Sequence, residues 1–223
     1  MRRFQVANIP SLGQTIELPT PAAHHLVRVL RGKVGQTIEL FDGAGKTARA
    51  SVSQIEDGHV TVMINRVSAA ITTRSVTLVM AIVKGPAMDA AVRMATEAGV
   101  AQILPVLSAR SVAKGDRSER WARIATSAAQ QSGRSDTPTI SSPMSITDAL
   151  ARVSGCTLYI AQPGSSKAAS GTDDVVLFVG PEGGWTDAEV QQITRAGAQP
   201  ISLGPWILRA DTAAAVAVAQ ALQ

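Results

Sequence analysis

Two Gly-Pro turns, each placed directly after a short apolar run, constrain this chain more than any other feature. They lie in VVLFVGPEGGWTDAEVQQITRAGAQPISLGPWILRADTAAA, from Val175 to Ala215. Val175 to Val179 is apolar without alternation, which suits a strand buried on both faces of a parallel sheet. Gly180-Pro181-Glu182-Gly183-Gly184 breaks the run. Thr186 follows with Glu189 three residues on, a capping box that predicts a helix to about Ala196, closed by Gly197. The pattern then repeats: Pro200 to Leu203 reads as a short strand, Gly204-Pro205 ends it, and Asp211 or Thr212 caps an Ala/Val-rich helix to the C-terminus. Strand, Gly-rich loop and helix, twice over, specify an α/β fold with a parallel sheet and put both loops at its carboxyl edge, where such sheets bind ligands. The first loop matches neither GxGxxG nor GxxxxGK[ST], so a dinucleotide or nucleoside-triphosphate phosphate cradle is not its business.

The rest of the chain divides at its linker-like middle. Residues 4–66 alternate short apolar segments (Phe4 to Val6, Ile38 to Phe41, Ala48 to Ile55, Val60 to Ile64) with turns at Asp42-Gly43-Ala44-Gly45 and Asp57-Gly58, the pattern of a small β-barrel built from hairpins. One helix interrupts them, opened by Thr20-Pro21 and stopped by Gly32, with Leu26, Val29 and Leu30 as its apolar face. His24 and His25 are adjacent and lack an acidic or Cys partner, so they read as capping or packing residues. Val67 to Ser75 is small, polar and aperiodic, as a linker would be. Beyond it, strands are expected at Val76 to Val83, Gln102 to Leu107 and Thr157 to Ala161, with helices over Met88 to Ala98 and Ser118 to Gln131. Met88, Ala91, Val92 and Ala95 fall at core spacing, and Met94 is read as packing too. Trp121, Ile124 and Ala128 should face inward, and residues 165–174 are polar and expected to be mobile.

Composition narrows the partners. Aromatics make up only 3% of the 223 residues, so the core must be built from aliphatic side chains, in keeping with α/β layers. The net charge is +4, and its excess sits in residues 1–70, which hold 8 basic and 5 acidic groups against 13 and 12 in the remainder. That balance leans toward nucleic acid. Arg2, Arg3, Arg28, Arg31 and Lys33 can form one basic patch, and Arg110, Lys114, Arg117, Arg120, Arg123 and Arg134 can line a loop and helix that track a phosphate backbone. Cys156 is the only cysteine, so no disulfide or cysteine zinc site forms, and its strand-like neighbours make it a buried structural thiol. No metal site is expected. The N-terminus lacks the apolar core of a signal peptide and no run approaches the ~18 apolar residues of a membrane span, so a cytoplasmic protein is expected.

FVGPEGGWTDAEV followed by LGPWILRADTA resembles the paired C-terminal motifs of the RsmE family, bacterial methyltransferases of the SPOUT superfamily that modify a uridine of small-subunit ribosomal RNA. In the second motif Leu203, Gly204, Leu208, Arg209 and Thr212 match, whereas Trp206 stands for the usual Arg, Ala210 for Thr and Asp211 for Glu. Upstream, Lys84, Gly85, Met88, Glu97, Gly99 and Val100 match a further segment, whose second Lys falls on Met94, beside Arg93. Ser132-Gly133-Arg134 matches the end of a Glu-Gln-Ser-Gly-Arg motif, with Gln130 at the Glu position. Near the N-terminus the HHLVRVLR helix and an early Arg are similar to those of the family's RNA-binding domain.

The resemblance implies an N-terminal PUA-like RNA-binding β-barrel over residues 1–70 and a SPOUT methyltransferase domain over 73–223, with a C-terminal trefoil knot that holds S-adenosylmethionine. It also implies a homodimer, in which Arg134 of one chain could approach the other's cofactor; the Ala- and Val-rich C-terminal helix, apolar around much of its circumference, agrees. A cofactor carrying adenosine needs backbone donors and apolar walls. The loops holding Ala161 and Gln162, Gly180, Pro181, Glu182, Gly183 and Gly184, and Leu203, Gly204, Leu208, Arg209 and Thr212 are assigned to it. Methylation at the uridine N3 requires loss of its proton, so Arg209 is assigned to stabilise the uridinate, or else only ties the last loop to the sheet, and Glu182 or Asp211 to act as base. Arg2, Arg3, Arg28, Arg31, Lys84, Arg110 and Arg134 are assigned to 16S ribosomal RNA or the assembled small subunit. Two alternatives stay open: a SPOUT enzyme acting on another base or a ribose 2′-hydroxyl, and an RNA-binding relative without catalysis.

Overall fold

The computed structural model describes residues 2–69, 75–111, 115–165 and 174–223. The chain forms two compact units, one of Met1–Thr72 with Ala129–Thr137 and one of Thr73–Ala128 with Pro138–Gln223.

In the first unit, β1 (Arg2–Gln5), β2 (Thr15–Glu17), β3 (Thr37–Phe41), β4 (Lys46–Glu56) and β5 (His59–Ala69) form one sheet in the order β1-β3-β4-β5-β2. The long β4–β5 hairpin turns at Asp57 and Gly58, whose φ angles of 48° and 86° are the paired positive values of a type I′ turn. Asp42 builds the other turn, its Oδ1 accepting from the N–H groups of Ala44 at 2.8 Å and Lys46 at 3.0 Å. Ala48, Ala50 and Val52 alternate along β4 onto one face and meet Leu26, Ile38 and Leu40 in the core, while the β4–β5 register shifts between Arg49 and Ala50 and again between Val52 and Gln54.

The helix of this unit departs from expectation. α1 (Thr20–His24) passes into a π-helical turn (His25–Val29), in which the Leu30 N–H donates to the His25 carbonyl at 3.0 Å. The wider turn shifts the phase, so Leu26 is buried while Val29 is 61% exposed and leaves the apolar face that simple α spacing assigns it. His25 packs edge-on against Phe4, with ring centroids 6.4 Å apart. Val67 to Ala69 end β5 and are not linker, and residues 70–74 lie outside those described.

Among the described residues the second unit holds seven strands: β6 (Val76–Ala81), β7 (Gln102–Leu107), β8 (Thr139–Ile140), β9 (Met144–Ser145), β10 (Thr157–Ala161), β11 (Val175–Val179) and β12 (Gln199–Ile201). Six run in the order β12-β10-β11-β6-β7-β8, β9 also pairs with β7, and every pairing is parallel. Both faces are covered, as a parallel sheet requires. Leu78, Met80, Leu177 and Val179 point into one cluster with α2 (Gly85–Ala98) and α6 (Ala210–Ala221). Val79, Ala81, Val176 and Phe178 point into the other, with α4 (Ile146–Arg152) and α5 (Asp187–Arg195). α3 (Ser118–Ser132) adds Trp121 to the first cluster as expected, with Ile124 partly buried against it and Ala128 buried, and it also buries Ala125, which was not expected.

Three further expectations are corrected. Cys156 is exposed, because it sits in the turn ahead of β10 and burial starts only at Leu158. α6 begins a residue earlier than its presumed caps: Arg209 occupies the N-cap without a side-chain bond, and Asp211 lies inside the first turn. The strand around Pro200 runs over Gln199–Ile201 and stops short of Leu203. β2, β8, β9 and α4 are too short for periodicity to reveal, and most of the 165–174 stretch lies outside the described residues.

Candidate functional site

The carboxyl ends of β10, β11 and β12, three neighbours in the sheet, open into a cavity of about 360 Å³. Its walls come from the three loops that follow those strands. Ala161, Gln162 and Pro163 leave β10; Gly180, Pro181, Glu182, Gly183, Gly184 and Trp185 leave β11; Leu203, Gly204, Trp206, Ile207 and Leu208 leave β12. Val179, Val190, Ala210 and Ala213 complete the lining. Every loop residue assigned to the cofactor from Ala161 to Leu208 is therefore here.

The 180–184 loop is shaped by its neighbours. The Gly184 N–H donates to the Pro181 carbonyl at 2.8 Å, closing a turn. A Cβ on Gly180 would come within 3.1–3.3 Å of the Trp185 indole, so any other residue here would force the ring to give way by a few tenths of an ångström. Behind the loop, Thr186 and Glu189 form the expected capping box, and Glu189 does more than cap. Its carboxylate accepts from the Thr186 N–H at 2.7 Å and hydroxyl at 2.9 Å, and from the Ala109 N–H at 2.7 Å, pinning the loop after β7 to the start of α5. Burial opposes its charge, but the backbone donors at Thr186 and Ala109, the Thr186 hydroxyl and the nearby Arg110 outweigh that and hold the carboxyl below its ordinary range. Arg110, assigned to RNA from its charge, is exposed but donates to the Gly183 carbonyl, so it braces the cavity loop.

The structure separates the assigned catalytic residues. Glu182 lines the cavity and is the one carboxylate in its wall among the described residues. Arg209, Asp211 and Thr212 do not line it: the extended backbone at Arg209 turns its side chain, 77% exposed, toward solvent, while Ala210 and Ala213 take the wall. Arg209 pairs with Asp211 at 3.1 Å, and the other Asp211 oxygen accepts from the Thr212 N–H at 2.9 Å. Sequence reasoning missed Trp185 and Val190, which share one apolar cluster and both face the cavity. They occupy N′ and N4 around the Thr186 cap, the positions of a hydrophobic staple, so the signal was present in the sequence.

The assigned RNA contacts also split. Arg28 and Arg31 are exposed, Arg31 at a positive φ of 50°, and Lys84 is exposed at the N-cap of α2. Arg2 donates to the Leu30 carbonyl at 2.6 Å. Arg3 lies over the Phe41 ring at 5.2 Å and pairs with Glu39 at 3.4 Å, its side chain only 12% exposed. Arg134, equally enclosed, pairs with Asp136 in the segment that groups with the first unit, where a Cβ on Gly133 would come within 3.0 Å of Arg3. Arg120 pairs with Asp89 at 2.7 Å, and Lys114 lies outside the described residues. Among the described residues no cluster of His, Cys, Asp and Glu could hold a metal ion, and no helix is long and apolar enough to cross a membrane.

A family described as an RNA methyltransferase domain matches residues 71–222, and one described as an RNA methyltransferase PUA domain matches residues 18–64. The chain is 34% identical over 98% of its length, and 76% of the relative's, to ribosomal RNA small subunit methyltransferase E of Synechocystis. It is 32% identical to the protein of that name from Mycobacterium bovis, over 96% of this chain and 88% of the relative. The crystal structure of ribosomal RNA small subunit methyltransferase E from Neisseria gonorrhoeae, bound to S-adenosyl methionine, superposes with a TM-score of 0.87 at 33% identity, covering 98% of this chain and 95% of that one. By likeness across both units, and with its glycine-rich cavity at the carboxyl edge of the sheet, the chain belongs to the ribosomal RNA small subunit methyltransferase E family.

Proposed function

We propose that this chain transfers a methyl group from S-adenosylmethionine to N3 of a uridine in 16S ribosomal RNA. The observation that carries the reading is the cavity. Its size, its glycine and proline backbone on one side and the apolar faces of Trp185, Val190, Leu203 and Leu208 on the other fit a ligand with an adenine ring, a ribose and a short charged tail. When bound, that cofactor supplies an electrophilic methyl group on a sulfonium.

The chain's own residues do the rest. The 180–184 and 203–208 loops hold the cofactor, and their apolar neighbours exclude water from it. Glu182, at the cavity wall, accepts the proton from uracil N3, so that the nitrogen lone pair is available. Arg209, at the solvent side and steadied by Asp211, offsets the charge that then spreads onto the uracil oxygens. Orientation of the two reactants supplies much of the remaining acceleration.

Residues 73–223 form the SPOUT methyltransferase domain, and α6, returning from the edge strand β12 to pack beside β11 and β6, is the segment that closes a trefoil knot. Residues 1–70 form a PUA-like barrel that holds the RNA through Arg28 and Arg31, with Lys84 as a further phosphate contact. Ala215, Val216 and Ala219 leave part of α6 uncovered, which supports a homodimer. An RNA substrate of this kind points to the cytoplasm.

Mass spectrometry of 16S ribosomal RNA nucleosides tests the reading. Deleting the gene should remove one 3-methyluridine, and the intact protein should restore it while a Glu182→Gln variant should not. Loss of a 2′-O-methyl nucleoside or another methylated base would assign a different reaction, and an unchanged nucleoside profile would leave the protein an RNA-binding relative without catalysis.

A further inference from the structure

The loop between β12 and α6 presents its two largest apolar side chains to solvent. Trp206 is 79% and Ile207 84% exposed, more than any other large apolar residue among those described, and they are adjacent. Both also line the cavity, so they stand at its mouth. Exposed apolar pairs of this kind mark a binding surface. Two side chains are far smaller than the ~800 Å² that each partner buries in a stable protein interface. An exposed aromatic face at the mouth of a cavity is instead what single-stranded nucleic acid uses, the base stacking on the ring.

The chemistry asks for such a surface. A uracil can present N3 to a methyl donor only after it leaves its neighbours in the RNA, and the stacking it forfeits must be replaced. We infer that Trp206, backed by Ile207, is the stacking platform on which the target pyrimidine base rests while N3 enters the cavity. This inference rests on the proposed methyltransferase function and adds the residue that holds the base. Hydrogen bonds within the loop brace the platform, since the Ser202 hydroxyl donates to the Gly204 carbonyl at 3.0 Å and accepts from its N–H at 3.3 Å.

Fluorescence and kinetics test it together. Trp121 and Trp185, at 2% and 8% exposure, are shielded, so quenching by acrylamide reads Trp206. A short oligouridylate should protect the wild-type protein from acrylamide. Trp206→Ala should raise the KM for undermethylated 16S ribosomal RNA on the order of 5- to 150-fold, the span for removing one stacking aromatic, a larger factor than any change in the Kd for S-adenosylmethionine, whose cavity the ring also lines. Trp206→Phe should recover most of the loss. An unchanged RNA KM in a folded Trp206→Ala variant overturns the platform while leaving the methyltransferase reading intact. So does a loss confined to cofactor affinity, or a shift from dimer to monomer in light scattering with Trp206 already shielded in the RNA-free protein. Wild-type protein that moves no methyl group to ribosomal RNA overturns the function and the platform with it.

Discussion

Replacing Glu189 by Ala would strike the support of the cavity without touching its wall. The carboxylate is 8% exposed and accepts three hydrogen bonds, two from Thr186 and one from the Ala109 N–H. Loss of the helix cap costs about 1 kcal/mol. The Ala109 bond, made to a charged acceptor, adds about 1.5–3 kcal/mol. With partial access of water to the vacated donors, a net loss of about 2–4 kcal/mol is expected, which lowers Tm by about 4–16 °C for a chain of this size. The effect carries a pH signature. Because the folded carboxyl titrates below its ordinary range, its contribution is complete above the unfolded pKa and disappears as pH falls through the folded one. The stability gap between wild type and Glu189→Ala should therefore be constant from neutral pH down to about 5 and close at more acidic pH. Thermal melts at a series of pH values measure this. A Tm within about 1 °C of wild type, or a gap that widens on acidification, would refute the reasoning.

Four other outcomes follow from the geometry. Gly180→Ala should lower stability by about 1–3 kcal/mol and weaken S-adenosylmethionine binding, because its Cβ meets the Trp185 indole at 3.1 Å; unchanged melting and calorimetry would contradict this. Arg28→Ala with Arg31→Ala should flatten the salt dependence of RNA binding by about 0.7–0.9 per contact in log–log slope, whereas Arg3→Ala should lower Tm, since Arg3 is held by Phe41 and Glu39; equal slopes in wild type and double variant would remove the phosphate role. Glu182→Gln should lower kcat by about 10²- to 10⁴-fold with cofactor Kd unchanged, and retention of full kcat would assign the proton to another group. Light scattering at micromolar concentration should give the mass of a dimer, and a fully active monomer would exclude the dimer.

Much of the site was legible because its chemistry is local in sequence. Gly180 to Gly184 follow an apolar run that reads as a buried strand and Gly204 to Leu208 follow a short strand, and parallel strands deliver their exit loops to the same edge. The capping box at Thr186 and the core spacing of Met88, Ala91, Val92 and Ala95 are equally local, so they appear as expected. Arg209 and Asp211 were harder. Which way their side chains leave the chain depends on where α6 starts: its N-cap is Arg209 and not Asp211 or Thr212, and Arg209 and Asp211 pair with each other.

The N-terminal arginines make the same point about charge. Arg2, Arg3, Arg28 and Arg31 look alike in sequence, yet the fold enclosed Arg3 against an aromatic ring, engaged Arg2 with a helix-end carbonyl and left the other two in solvent. Arg110 and Arg134 likewise found internal acceptors, the Gly183 carbonyl and Asp136. The π-helical turn that exposes Val29 is no different, since one extra residue in a turn leaves no trace in composition. What the sequence by itself determined is the order of strands, loops and helices, because hydrophobic period, glycine and capping residues act over a few positions. Which ionisable groups reach the cavity, which face solvent and which pair with each other was decided by tertiary structure, because a side chain's partner can come from a distant segment, 80 residues away in the case of the Glu189 bond to Ala109.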